Sequence, residues 1–122
     1  MMWGKQAGRA ALVLGLARFL TIGEARASYL YWSKVPVQTG PEAKCMQLAH
    51  GVARQNGLQN IRRGPLEIAG SKQGVYVAIT CIGRGEGQRA MAVVMAMGDA
   101  QQTTIAVRDE IAGKLSKTGF ID

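Results

Sequence analysis

The two cysteines, Cys45 and Cys81, carry the clearest potential chemistry in the chain. An even cysteine count is typical of a disulfide in an oxidising compartment, whereas in the cytosol both residues would be buried thiols. No C-x-x-C pair is present, so a redox-active dithiol is not expected. We predict a Cys45–Cys81 disulfide, which would stabilise a small domain by about 3–4 kcal/mol through closure of its loop.

Three methionines form the second group: Met91, Met95 and Met97 alternate along one predicted strand. Thioether ligands suit Cu(I), and Met95 and Met97 are the candidates to hold it. The alternative is core packing, because both faces of AMAVVMAMG are apolar, as in a strand covered on both sides, and methionine commonly fills irregular gaps. His50 is the only histidine available to complete a metal site, and it falls on a helix flank. We therefore expect no metal and no cofactor.

Catalytic motifs are missing from the sequence. His50 has no serine or acid at a recognisable triad spacing, and the adjacent acids Asp109 and Glu110 fall on a solvated helix face. The glycine run Gly83–Gly87 precedes a strand, whereas a phosphate-cradling loop opens a helix. We predict a hairpin at this run and a protein that is not an enzyme.

The segment Ala10–Ser28 has the order of a secretion signal. Lys5 and Arg9 precede an apolar run, and an A-R-A triplet ends at Ala27, which predicts cleavage before Ser28. Arg18 interrupts the apolar run and favours the alternative, an N-terminal helix of a cytosolic protein. A transmembrane helix fits worse because the run is too short and charged.

Cleavage would change the charge balance. The formal net charge is +7, and the leader contributes four basic residues and one acid, so +4 would remain. Nucleic-acid binders concentrate positive charge on one face or stripe. Here the basic residues are scattered near predicted strand ends without aromatic partners: Arg62, Arg63, Lys72, Arg84 and Arg89. A nucleic-acid partner is expected only if the leader is retained.

An aromatic segment follows the leader. Tyr29, Tyr31 and Trp32 precede Pro36, which argues for an extended arm at an edge or in a linker. Large exposed aromatics are costly, so the arm either packs on the domain or marks a partner surface. We expect a leader over residues 1–27, an arm over 28–40 and one domain over 41–122.

The domain has the pattern of an α+β fold. Gly40-Pro41 and Asn56-Gly57 bound a helix with Cys45 on its apolar face, while Met46 and His50 border the core. Three glycine-separated strands follow, over NIRRGPLEIAG, GVYVAITCIG and QRAMAVVMAMG. A last helix begins after Gly98, with Asp99 as its N-cap and Gly119-Phe120 as its C-cap. Its predicted inward stripe is Val107, Ile111 and Leu115. We predict a two-layer sandwich of order α-β-β-β-α, with both helices on one face of a three-stranded antiparallel meander.

From Cys45 onward, the layout KCMQLAHGVARQNG, VYVAITCIG and AMAVVMAMGDAQQTTIAVRDEIAGKL resembles small exported proteobacterial proteins of unknown function. These share a signal, a cysteine in the first helix, another in the middle strand, and a closing helix after a glycine. The resemblance implies export and the α+β fold but brings no activity.

Three hypotheses of function follow. The first is a small periplasmic or secreted non-enzymatic protein that binds a protein or cell-envelope partner through the aromatic arm or an exposed sheet face, with no membrane span after cleavage. The second is a periplasmic metal or small-ligand carrier that uses the methionine face. The third is a cytosolic basic nucleic-acid binder, which requires an uncleaved leader.

Overall fold

The computed structural model describes residues 28–118, which form five strands and two helices. In chain order they are β1 (Tyr29–Pro36), α1 (Glu42–Gln55), β2 (Gln59–Arg63), β3 (Glu67–Lys72), β4 (Val75–Ile82), β5 (Met91–Gly98) and α2 (Gln101–Lys117). The predicted leader and the predicted C-cap at Gly119 and Phe120 lie outside these residues.

The strands form a single antiparallel sheet of order β1-β5-β4-β3-β2. The predicted α+β class is confirmed, but the three-stranded meander is wrong on two counts. The aromatic segment is strand β1, paired with β5 from Tyr29–Gly98 to Pro36–Met91. The segment predicted as the first strand forms two strands, β2 and β3. The chain turns between them at Gly64-Pro65, where the Gly64 N–H donates to the Glu67 carbonyl at 2.8 Å.

Local sequence explains the tight connections. Gln73 and Gly74 both have positive φ, 54° and 77°, as a two-residue type I′ hairpin between β3 and β4 requires. At the end of α1, Asn56 is the C-cap and Gly57 follows in the left-handed region at φ 79°. Helix α1 therefore ends where its Asn-Gly pair predicts.

Helix α2 begins differently from the prediction. Its N-cap is Ala100, without a side-chain capping bond, and the Thr104 hydroxyl donates to the Ala100 carbonyl at 2.7 Å. The predicted inward stripe of α2 is confirmed, since Val107, Ile111 and Leu115 are all buried. The stripe gives α2 a single apolar face to set against the sheet.

The core fills the space between the helices and one face of the sheet. Helix α1 packs over β3 and β4, and α2 packs over β1 and β5. Met46, expected only to border the core, is buried at 3 % exposure and belongs to the core cluster, because α1 packs against α2 as well as against the sheet. Among the described residues, neither helix has the length and apolar character to cross a bilayer.

The predicted disulfide is confirmed. Cys45 of α1 and Cys81 of β4 are bonded, with an S–S distance of 2.07 Å and Cα atoms 6.0 Å apart. Both residues are fully buried. The bond therefore ties α1 to the central strand from within the core.

Candidate interaction surface

The sheet face that points away from both helices is strongly apolar. Side chains alternate between the faces of a strand, and this face receives six of the seven large hydrophobic side chains exposed in the described part of the chain. We call it the open sheet face: Leu30 and Trp32 of β1, Met95 and Met97 of β5, and Tyr76 and Ile82 of β4. Their exposures run from 40 % to 57 %.

Strand register arranges these side chains in rows. Leu30, Met97 and Tyr76 form one row across three strands, and the next row begins with Trp32 and Met95. Directly paired residues share a face with their Cβ atoms about 4.5–5.5 Å apart, so each row is a continuous contact surface. The row of Trp32 and Met95 runs on into Ala78 of β4 and Ala69 of β3.

The two alanines make the face uneven. Ala69 and Ala78 are 5 % and 8 % exposed, yet they lie outside the core cluster beneath the helices. Their register with Met95 and Trp32 places them on the open sheet face. In this row the face is thus raised at β1 and β5, where Trp32 and Met95 project, and lower at β4 and β3.

One row of the open sheet face ends in opposite charges. Lys34 of β1 pairs with Val93, Val93 with Thr80, and Thr80 with Glu67 of β3. Three strand spacings of about 4.8 Å set the Cα atoms of Lys34 and Glu67 about 14 Å apart, and the described structure has no ion pair between these two side chains. Both side chains belong to exposed residues.

Comparisons with known proteins do not point to a function for this surface. No protein-family model, curated protein or solved structure matches the chain. What the chain does must be argued from its own surfaces.

The three aromatic candidates lie on opposite faces. Tyr29 and Tyr31 stack on the helix side, with ring centroids 6.5 Å apart. The Tyr31 hydroxyl accepts a hydrogen bond from Gln101 Nε2 at 2.7 Å, and the Arg108 guanidinium lies 5.8 Å from the Tyr31 ring centroid. Among the three, Trp32 alone joins the open sheet face, so strand alternation narrows the predicted surface candidates to one.

Sequence reasoning did not single out Leu30, Tyr76 and Ile82 for this surface. Tyr76 and Ile82 follow from the alternation of β4, whose weaker apolar face points away from Cys81. To place Leu30 on this surface, one must know that the aromatic segment is a strand beside β5. That strand pairing is made with a distant part of the chain. Local patterns carry no signal for that pairing.

The methionines lie together as predicted, on the open side of β5. Met95 and Met97 are 40 % and 45 % exposed, so they do not fill a core gap. His50 lies on α1, on the other side of the sheet. Within residues 28–118, no cluster of three His, Cys, Asp or Glu is placed to hold a metal ion. Thioether binding by this pair of methionines stays a hypothesis from sequence.

The glycine run joins β4 to β5 as a hairpin, as predicted. Its Gly83 N–H donates to Glu42 Oε2 at 2.9 Å, and Arg84 Nε donates to the Arg89 carbonyl at 2.7 Å. A carboxylate on the loop amide would repel an incoming phosphate. The run is therefore held by the chain's own side chains.

Proposed function

We propose that this chain is an exported, disulfide-stabilised protein that binds another macromolecule through the open sheet face and catalyses no reaction. The observation that carries the proposal is the clustering of six exposed large hydrophobic side chains on one registered face. Three strands and four rows give a patch on the order of 300 Å² in projection, which is comparable to the largest apolar patch of a typical soluble monomer, a patch that is often functional.

The composition of the face supports binding over simple solvation. An antiparallel sheet with one wet side ordinarily alternates apolar residues inward with polar residues outward. On β5 the outward positions are Met91, Val93, Met95 and Met97. Keeping these side chains in water forgoes about 25 cal/mol for each Å² of apolar surface, which a partner would recover.

Two further observations support export. The segment before Ser28 has the order of a secretion signal. The buried Cys45–Cys81 disulfide belongs to an oxidising compartment. The two observations are independent, because one concerns the leader and the other the core.

The proposed export is tested by measuring the intact mass of the protein purified from its native host without reductant. We expect a chain that starts at Ser28 with both thiols oxidised. A full-length mass with free thiols would overturn export and the disulfide together.

The proposed binding through the open sheet face is tested by placing a photo-crosslinking amino acid at position 95 in the native host and looking for adducts. Position 47, an exposed glutamine on α1, is the matched control. We expect an adduct from position 95 that disappears with Trp32→Ser, and none from position 47. No adduct at position 95, or equal adducts at both positions, would contradict the proposed surface.

A further inference from the structure

We propose that the partner of the open sheet face is a second copy of this chain, packed face to face about a two-fold axis that runs parallel to the strands between β4 and β5. The proposal rests on the proposed function, since it names the occupant of the same face. It follows from the order of side chains in the registered rows.

The axis fixes which strands meet. The axis lies midway between the two facing sheets and runs parallel to their strands. Rotation about it places β5 opposite β4 of the second copy and β1 opposite β3 of the second copy. Because the axis is parallel to the strands, each residue keeps its height along them. Every such contact occurs twice, because a two-fold interface uses the same patch on both subunits. Each row of the open sheet face then lies on the same row of the second copy, in reversed order.

Shape is complementary in the row of Trp32. Reversal places Trp32, 57 % exposed, over Ala69 of the second copy, and Met95 over Ala78 of the second copy. In this row the raised half of one face therefore meets the low half of the other. Interdigitation of large and small side chains is what facing sheets require at their usual separation of about 10 Å.

Charge is complementary in the next row. The same reversal places Lys34 opposite Glu67 of the second copy, and Glu67 opposite Lys34 of the second copy. Within one described chain these two charges form no ion pair with each other. The dimer thus brings together two ion pairs at the rim of an apolar patch, which is where interfaces place their charges.

Other face-to-face arrangements lose this fit. A two-fold axis perpendicular to the strands stacks each strand on itself. Through the row of Trp32, such an axis sets Trp32 and Met95 each against its own copy, and it leaves Ala69 and Ala78 each opposite its own copy across a gap. An axis through the row of Lys34 would also set that lysine against its own copy. Two facing patches of about 300 Å² each lie below the roughly 1,200 Å² of total buried surface that stable specific interfaces reach, so we expect a weak, transient dimer in the micromolar range of affinity.

The test is sedimentation equilibrium on the protein purified from its native host, over a dilution series. Lys34→Glu and Glu67→Lys should each weaken dimerisation at least about tenfold, because each places like charges opposite one another. The double variant restores opposite charges and should recover the affinity of the unaltered protein to within about threefold. Lys117→Glu, an exposed lysine on α2, is the matched control and should leave the affinity unchanged.

Unfolding curves at concentrations where each variant is monomeric separate lost pairing from lost folding. A dimer whose affinity is unaffected by either single charge reversal, or is not restored in the double variant, would overturn the proposal. A monomer at about 100 µM would also overturn it. If such a monomer dimerised only after removal of residues 1–27, the apolar leader would be the occupant instead of a second copy.

The cross-link at position 95 distinguishes this failure from failure of the proposed function. An adduct of twice the chain mass supports the second copy. An adduct to a different protein refutes it and leaves the proposed function standing. The absence of any adduct refutes both.

Discussion

Cys81 and Cys45 meet where α1 crosses the centre of the sheet, and small neighbours make that approach possible. Cys81 pairs with Ala92 on β5, and Ala49 lies one helical turn after Cys45. All four residues are fully buried. The sequence predicts that both cysteine side chains point into the core. The 3.6-residue period of a helix fixes the direction of Cys45, and the two-residue alternation of a strand fixes that of Cys81.

Removing the disulfide should lower the free energy of unfolding substantially. The bond joins residues 36 positions apart, and the chain-entropy relation gives about 4 kcal/mol for a loop of that length. The double variant Cys45→Ala/Cys81→Ala should show this loss in urea unfolding. Reductant should bring the unaltered protein towards the same midpoint and leave the double variant unchanged. A reductant-insensitive midpoint in the unaltered protein would contradict the bond.

At the scale of elements, the junction between β5 and α2 holds the most closely packed glycine of residues 28–118. A Cβ at Gly98 would lie 2.7 Å from Thr104 Oγ1 and 3.2 Å from Val75 Cγ2. Thr104 is held by its bond to the Ala100 carbonyl and is fully buried, so it has little room to move. The absence of a side chain at Gly98 lets the first turn of α2 lie against the sheet.

Two glycine-to-alanine substitutions should therefore have opposite signs. Gly98→Ala should lower the free energy of unfolding by about 1–3 kcal/mol, because it overpacks a closed site. Gly113→Ala, inside α2 with open space around its Cβ position, should raise it by about 0.5–1 kcal/mol through helix propensity. Thermal or urea unfolding of both variants gives the comparison. A neutral Gly98→Ala would show that Thr104 can rotate away.

The elements themselves were largely predictable, and their pairing was not. Helix α1 is marked by Pro41 and Asn56-Gly57, and β4 by its alternation between flanking glycines. The placement of β1 depends on hydrogen bonds to β5, far along the chain, which no local pattern encodes. The break at Gly64-Pro65 was visible in the sequence as a turn signal, but the prediction joined the residues on both sides of it into one strand.

At the scale of the whole molecule, the sheet has one packed face and one open face within the described residues. Both faces of β5 are apolar, which predicted a strand covered on both sides, but the two helices of residues 28–118 pack on the same side. The sequence therefore indicated an apolar second face without indicating that it is exposed. That difference is what turns Met95 and Met97 from expected core residues into surface residues.

The two faces should respond differently to the same kind of substitution. Ile79, fully buried on the helix side, and Met95, 40 % exposed on the open side, lie on neighbouring strands. Ile79→Ala should cost about 2–5 kcal/mol of unfolding free energy. Met95→Ala should cost less than about 1 kcal/mol in dilute solution, where the open sheet face is uncovered. Equal losses in urea unfolding would mean that the open face is covered in the isolated chain.

The pairing of β1 with β5 also has a consequence for the order in which the sheet can be completed. Tyr29 emerges early in synthesis, but its partner Gly98 follows only after most of the described chain has been made, several seconds later at about 5–20 residues per second. Until then β1 has no strand to join, and α2, which covers it, does not yet exist. A chain exported from its N-terminus would therefore enter a translocation channel before β1 could pair with β5. Late completion of the sheet would keep the chain unfolded enough to pass through the channel.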